Sequence, residues 1–201
     1  MRRLLATLTV LVACLFGLPA TAHSAPAPLG GGSPLSTLGG TTRCYAAFAA
    51  TSASAGYLLA GPTCPSGQLY SNNVLVGPST ASPGYARVQV TNTAAWTLVP
   101  WADGTVTIGG SICLVSARTG KRCGVVTALN QTINYGGGTI TGLTRTNVCL
   151  EPGDGAIAFV SGTQAQGVPL AGSGSCTSGG ASWFTPVNRI LAAYGLTLLT
   201  G

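Results

Sequence analysis

From Thr41 onward the chain is cut into short apolar runs by clusters of glycine, proline and asparagine, and this spacing governs what it can fold into. The runs read YLLAG, NNVLVG, ARVQVTN, WTLVPW, TVTIGG, SICLVS, RCGVVTAL, GTITGL, AIAFVSG and AQGVPLAG. Each has the length and composition of a strand and is bounded by residues that turn the backbone. Many strands at regular spacing predict an all-β barrel or sandwich. The one helix signal is terminal. In TPVNRILAAYG, Thr185 can cap and Pro186 suits the first turn. Val187, Ile190, Leu191 and Tyr194 then supply an apolar face, and Gly195 can close the end.

The N-terminus reads differently. Arg2 and Arg3 precede an apolar run from Leu4 to Leu18 and a small-residue exit at Ala20-Thr21-Ala22, so residues 1–22 are expected to be a secretory signal peptide cleaved after Ala22. Leu11-Val12-Ala13-Cys14 offers a competing lipoprotein box, but the apolar run continues past Cys14 and a good cleavage site follows. Residues 23–40, HSAPAPLGGGSPLSTLGG, lack any apolar period and are expected to form a flexible leader. No later segment has the unbroken apolar length of a membrane span.

Without the signal, seven cations face three acids, Asp103, Glu151 and Asp154, for a net charge of +4. The cations are scattered, with only Arg118, Lys121 and Arg122 close together, whereas a phosphate backbone needs many along one face, so a nucleic-acid partner is not expected. Six cysteines remain after cleavage: Cys44, Cys64, Cys113, Cys123, Cys149 and Cys176. An even number in an exported chain favours disulfides and leaves their connectivity open. With a single histidine and no CxxC spacing, neither a metal site nor another cofactor is expected.

Several stretches together carry a family signature. SICLVSARTGKRCGVVTALNQTINYGGGTITGL leads into GLTRTNVCLEPGD, FVSGTQAQGV, GSGSCTSGG and PVNRILAAYGL. They closely resemble the second barrel of the secreted bacterial chymotrypsin-like serine proteases, the streptogrisin and alpha-lytic group. RCYAAF followed by YLLAGPTC resembles the same family's first disulfide and its TAGHC motif. The resemblance implies two antiparallel six-stranded β-barrels, a first over residues 41–110 and a second over 111–201 with the C-terminal helix, and an active site in the crevice between them. It also implies the pairings Cys44 with Cys64, Cys113 with Cys123, and Cys149 with Cys176. The interval from Cys64 to Gly84 is shorter than the family's, which implies trimmed loops or a weaker strand, and the leader stands where active members carry a long pro-region.

The family's reaction needs a serine that attacks a carbonyl, an imidazole that takes its proton, and a carboxylate that orients the imidazole, in the chain order His, Asp, Ser. Here TAGHC becomes AGPTC, which puts Thr63 in the histidine slot. The only histidine in the chain is His23, in the leader, so no register shift brings an imidazole into a barrel. DYGIVRYTN becomes GYARVQVTN, which puts Gly84 in the aspartate slot. GDSGG becomes GDGAI, which puts Gly155 in the serine slot. The resemblance leaves backbone donors at Gly153 and Gly155 that correspond to an oxyanion hole. The family's peptide-pairing segment, TSGG after GV, becomes Pro169-Leu170-Ala171, and proline removes one ladder donor. Ala156 and Ile157 replace two glycines and are expected to fill space that an active site keeps open.

Other constellations are weaker. His23 as a terminal copper ligand lacks the second imidazole such a site needs. Glu151 and Asp154 could pair for glycoside hydrolysis, but the resemblance makes Asp154 a structural carboxylate near the crevice and Glu151 a loop residue. Asp103, in an ADG turn, reads as a solvated turn rather than a relocated acid. Ser161 with Lys121 as a dyad has no spacing support. Trp96, Trp101 and Trp183, isolated in strand text, read as core rather than as a sugar platform. The expectation is therefore a secreted, monomeric, catalytically inactive relative of these proteases that binds peptide or protein in its crevice. The alternative is a serine-type endopeptidase with a rearranged or residual site.

Overall fold

A computed structural model of the protein describes residues 25–101, 108–135 and 138–201. Asp103, His23, Cys14 and half of the TVTIGG run, residues 105–107, lie outside the described residues. The strands in the first half are β1 (Ala27–Leu29), β2 (Pro34–Leu35), β3 (Cys44–Thr51), β4 (Gly56–Ala60), β5 (Gly67–Ser71), β6 (Val74–Ser82), β7 (Tyr85–Val90) and β8 (Trp96–Leu98). The second half holds β9 (Ser111–Ser116), β10 (Gly120–Tyr135), β11 (Gly138–Thr146), β12 (Ala156–Ser161), β13 (Gln164–Ser175), β14 (Gly179–Pro186), helix α1 (Val187–Tyr194) and β15 (Thr197–Leu198).

The second half closes into a six-stranded antiparallel barrel in the order β10-β11-β14-β13-β12-β9. The first half forms a sheet in the order β15-β3-β4-β7-β6-β5, with β2 against β3. A lone antiparallel bridge from Ser36 to Tyr70 ties the end of β2 to β5, so this ring closes by a single contact. The two-barrel fold is thus as expected, but the first barrel's seam is one bridge wide because β2 supplies only two residues.

Side-chain alternation explains the strands. In β7, Ala86, Val88 and Val90 are buried while Tyr85, Arg87 and Gln89 are half-buried, the period-two pattern of a sheet with one face on a core. β3 is buried on both faces, because Ala46 and Ala49 pack inside the first barrel while Ala47, Phe48 and Ala50 pack against the second. Its run of alanines lets the barrels approach closely there. The trimmed interval after Cys64 holds two full strands joined by Asn72-Asn73, both with positive φ, as a two-residue hairpin requires.

The stretch read as a flexible leader is built into the fold from residue 25. β1 pairs parallel with β8, β2 pairs with β3, and Leu29 and Leu35 are fully buried in the first barrel. Pro28 is tolerated because β1 pairs on one side only, where its missing N–H is not required. A second correction concerns the C-terminus: β15 leaves the second barrel and pairs with β3 of the first.

The helix runs as expected but is capped otherwise. Its N-cap is Pro186, with no side-chain cap, and the buried Thr185 hydroxyl instead donates to the Gly84 carbonyl at 2.9 Å. Gly195 does close the helix, at φ 58°. All three disulfides form with the implied pairing. Trp96 is buried, its indole N–H donating to the Leu75 carbonyl at 2.8 Å, and Trp101 meets Phe48 edge to face, so both serve the core.

Candidate functional site

The barrels meet along a cleft of about 540 Å3. The first barrel contributes residues 42–45 and 61–63, and the second contributes Arg118, residues 150–156 and residues 169–172. Thr63 is held at the rim by the Cys44–Cys64 disulfide next to it. Residues 169–171 lie on β13, hydrogen-bonded to β14 on one edge and lining the cleft with the other.

The turn 151–155 forms the floor. Asp154, 5% exposed, accepts two hydrogen bonds from the Arg122 guanidinium, at 2.7 and 3.2 Å. It also accepts the Glu151 N–H at 2.9 Å, and the Asp154 N–H returns a bond to the Glu151 carbonyl. Burial pushes this carboxyl up, but the Arg122 hydrogen bonds, the Glu151 N–H and the Arg122 charge outweigh it and hold the group below its ordinary value of 3.8. Glu151 turns away and accepts the Cys176 N–H at 2.8 Å. The two acids therefore anchor the turn. Asp154 has the structural role the sequence implied, and the acid pair of a glycosidase is not formed.

Gly153 and Gly155 take φ of 88° and 65°, and neither N–H has a hydrogen-bond partner among the described residues. A Cβ placed on Gly155 would lie 3.1 Å from the Tyr45 ring and 3.3 Å from the Ala117 Cβ. Gly84 does not line the cleft. It lies behind it, where a Cβ would meet the Thr185 hydroxyl at 2.9 Å and an Ile140 methyl at 3.6 Å. Leu170, 7% exposed, packs with Ile140 and Leu143 in the same small apolar cluster.

Of the sequence-selected residues, Thr63, Gly153, Gly155, Pro169, Leu170 and Ala171 thus come together around one cavity, and Gly84 stands apart. Ala156 lines the cleft as expected. Ile157 does not. It is buried in the cluster between the barrels, because strand alternation turns it to the opposite face. Ser161 and Lys121 lie outside the cleft. Sequence reasoning missed Tyr45 and the two arginines, Arg43 and Arg118, that line it. The signal for Tyr45 and Arg43 was their place beside Cys44.

The chain matches no protein-family profile. Streptogrisin-C of Streptomyces griseus is 45% identical to it over 130 residues, 59% of this chain and 28% of that protein. Streptogrisin-A of the same organism is 42% identical over 97 residues, 48% of this chain and 33% of that protein. The chain thus spans a third or less of these two streptogrisins' lengths. Glutamyl endopeptidase 2 of Streptomyces griseus is 30% identical over 188 residues, 85% of this chain and 98% of that protein. Among solved structures, Thermobifida fusca protease A superposes with a TM-score of 0.74 at 34% identity, covering 87% of this chain and 100% of the other. Nocardiopsis protease gives 0.74 at 37% identity with the same coverage. A relative matched over nearly its whole length and structures matched over all of theirs place the chain in the streptogrisin and alpha-lytic protease family of bacterial chymotrypsin-like serine proteases.

Proposed function

We propose that this chain is an exported, monomeric, non-hydrolysing member of the family that binds peptide or protein segments in the inter-barrel cleft. One observation carries the reading: the sequence has a single histidine, at position 23, while the slot beside Cys64 holds Thr63. A threonine hydroxyl cannot act as a general base near neutral pH. With Gly155 in the nucleophile slot there is also no oxygen to form an acyl intermediate. Backbone donors at Gly153 and Gly155 can still polarise a carbonyl, but polarisation without attack leaves the peptide bond intact.

The surroundings support the same reading. Tyr45 stands against position 155, and at position 84 a Cβ would come within 2.9 Å of the Thr185 hydroxyl, which donates to the Gly84 carbonyl, so this position offers no carboxylate to orient an imidazole. Of the endopeptidase alternative's parts, Asp103 lies outside the described residues, Asp154 is committed to Arg122, and Ser161 lies outside the cleft. Export is supported by three disulfides. Among the described residues no helix is long and apolar enough to cross a membrane.

The purified protein should be incubated with a fluorophosphonate probe and, separately, with casein. No labelling and no turnover above a buffer blank are expected, while casein peptides prepared beforehand with another protease are retained on the immobilised protein. Specific labelling, or cleavage at an ordinary protease's rate, overturns the reading.

A further inference from the structure

Charge is unevenly spent in this molecule. The only two acids among the described residues, Glu151 and Asp154, both belong to the cleft floor, and both are committed to internal partners. Among the described residues five arginines and one lysine remain besides Arg122. Arg87 lies over the rings of Tyr57 and Tyr194, Arg145 over Trp183, and Arg189 donates to the Thr141 carbonyl. Arg43 and Arg118 differ. Each lines the cleft, and among the described residues neither makes an ion pair or a side-chain hydrogen bond.

An exposed arginine alone signifies little, since water satisfies it. The placement of this pair is the informative fact. Arg43 comes from the segment entering β3 of the first barrel, and Arg118 from the turn between β9 and β10 of the second. They approach one cavity from opposite barrels. Arg118 reaches over the floor, with Nη1 3.8 Å from where a Gly153 Cβ would stand. A planar guanidinium presents paired donors that match a carboxylate.

We infer that the cleft selects peptides bearing a carboxylate, held between Arg43 of one barrel and Arg118 of the other; the inference rests on the peptide-binding reading above. The carboxylate can come from an acidic side chain or from the ligand's own C-terminus. Among the described residues no acid competes for the two cations, because Arg122 and the Cys176 N–H already occupy both carboxylates of the floor.

Fluorescence anisotropy with three labelled peptides separates the sources: hexaglutamate amide, hexaglutamine with a free C-terminus, and hexaglutamine amide. At low salt at least one carboxylate-bearing peptide should bind about tenfold tighter than hexaglutamine amide, as expected for a charge-assisted contact. Arg43→Gln and Arg118→Gln should each remove about tenfold of that affinity, Arg145→Gln should leave it unchanged, and about 0.5 M salt should weaken it. Preference for the glutamate peptide assigns side chains, and preference for the free-acid glutamine peptide assigns the terminus. Equal binding of hexaglutamine amide, or indifference to both cleft variants, overturns the inference and leaves the peptide-binding reading standing. Fluorophosphonate labelling with the arginine dependence intact overturns the non-hydrolysing reading and leaves this inference standing. Binding of none of the three peptides overturns the inference outright.

Discussion

At position 155 the proposed non-hydrolysing reading rests on two features, one in the residue and one in the backbone. The missing hydroxyl was legible in the sequence, whereas the φ of 65° and the Tyr45 ring beside it were not, since both depend on how the first barrel abuts the turn. Gly155→Ser should therefore lower stability by about 1–2 kcal/mol in urea unfolding, the cost of a left-handed backbone with a crowded Cβ, without creating fluorophosphonate reactivity. Asp154 gives a second prediction. Its carboxyl is held below 3.8 in the fold, so its contribution is fully present above that value and lost as pH falls through the lower folded one. The stability gap between the native chain and Asp154→Asn should be widest above about pH 5 and close as pH falls below the ordinary carboxylate range. A gap that stays constant through that window would mean that ionisation of Asp154 does not stabilise the fold.

Among the elements, legibility followed local pattern. The alternation in β7 and the apolar face of α1 are carried by neighbouring residues, and both formed where the sequence put them. β1 and β2 escaped because Leu29 and Leu35 are lone apolar residues in proline- and glycine-rich text, and only contact with distant strands makes them core. The same limit applies at Thr185, whose hydroxyl was assigned to its own helix but is used by Gly84, from the other barrel. Leu35 is fully buried beside β3, so Leu35→Ala should cost about 2–4 kcal/mol by urea unfolding, the range for deleting buried leucine atoms in a packed core. A change under about 0.5 kcal/mol, the scale of a surface substitution, would return the segment to the status of a leader.

For the whole molecule, the family resemblance made the two barrels and three disulfides legible, but not how the barrels are strapped together. The cluster joining Phe48 and Leu59 to Ile157, Val168, Ile190 and Leu198 spans both halves, and β15 carries the chain's end back to β3. No local motif announces such a return. The cleft depends on this strapping and on the Cys149–Cys176 bridge, which closes 27 residues around the floor turn. Cys113–Cys123 closes only 10 residues, between strands already in register. Chain entropy assigns the longer loop about 3–4 kcal/mol and the shorter about 2–3. The longer bridge also fixes the Cys176 N–H that holds Glu151, and its Cys176 sulfur lies 3.3 Å from the Arg122 guanidinium that holds Asp154. Paired replacement of Cys149 and Cys176 by alanine should therefore cost more stability than the same change at Cys113 and Cys123. It should also speed amide hydrogen exchange at residues 150–155 beyond the global loss, whereas the Cys113 and Cys123 replacement leaves that turn protected in proportion to overall stability. Uniform exchange in both variants would mean that the acids and Arg122 hold the cleft floor without help from the bridge.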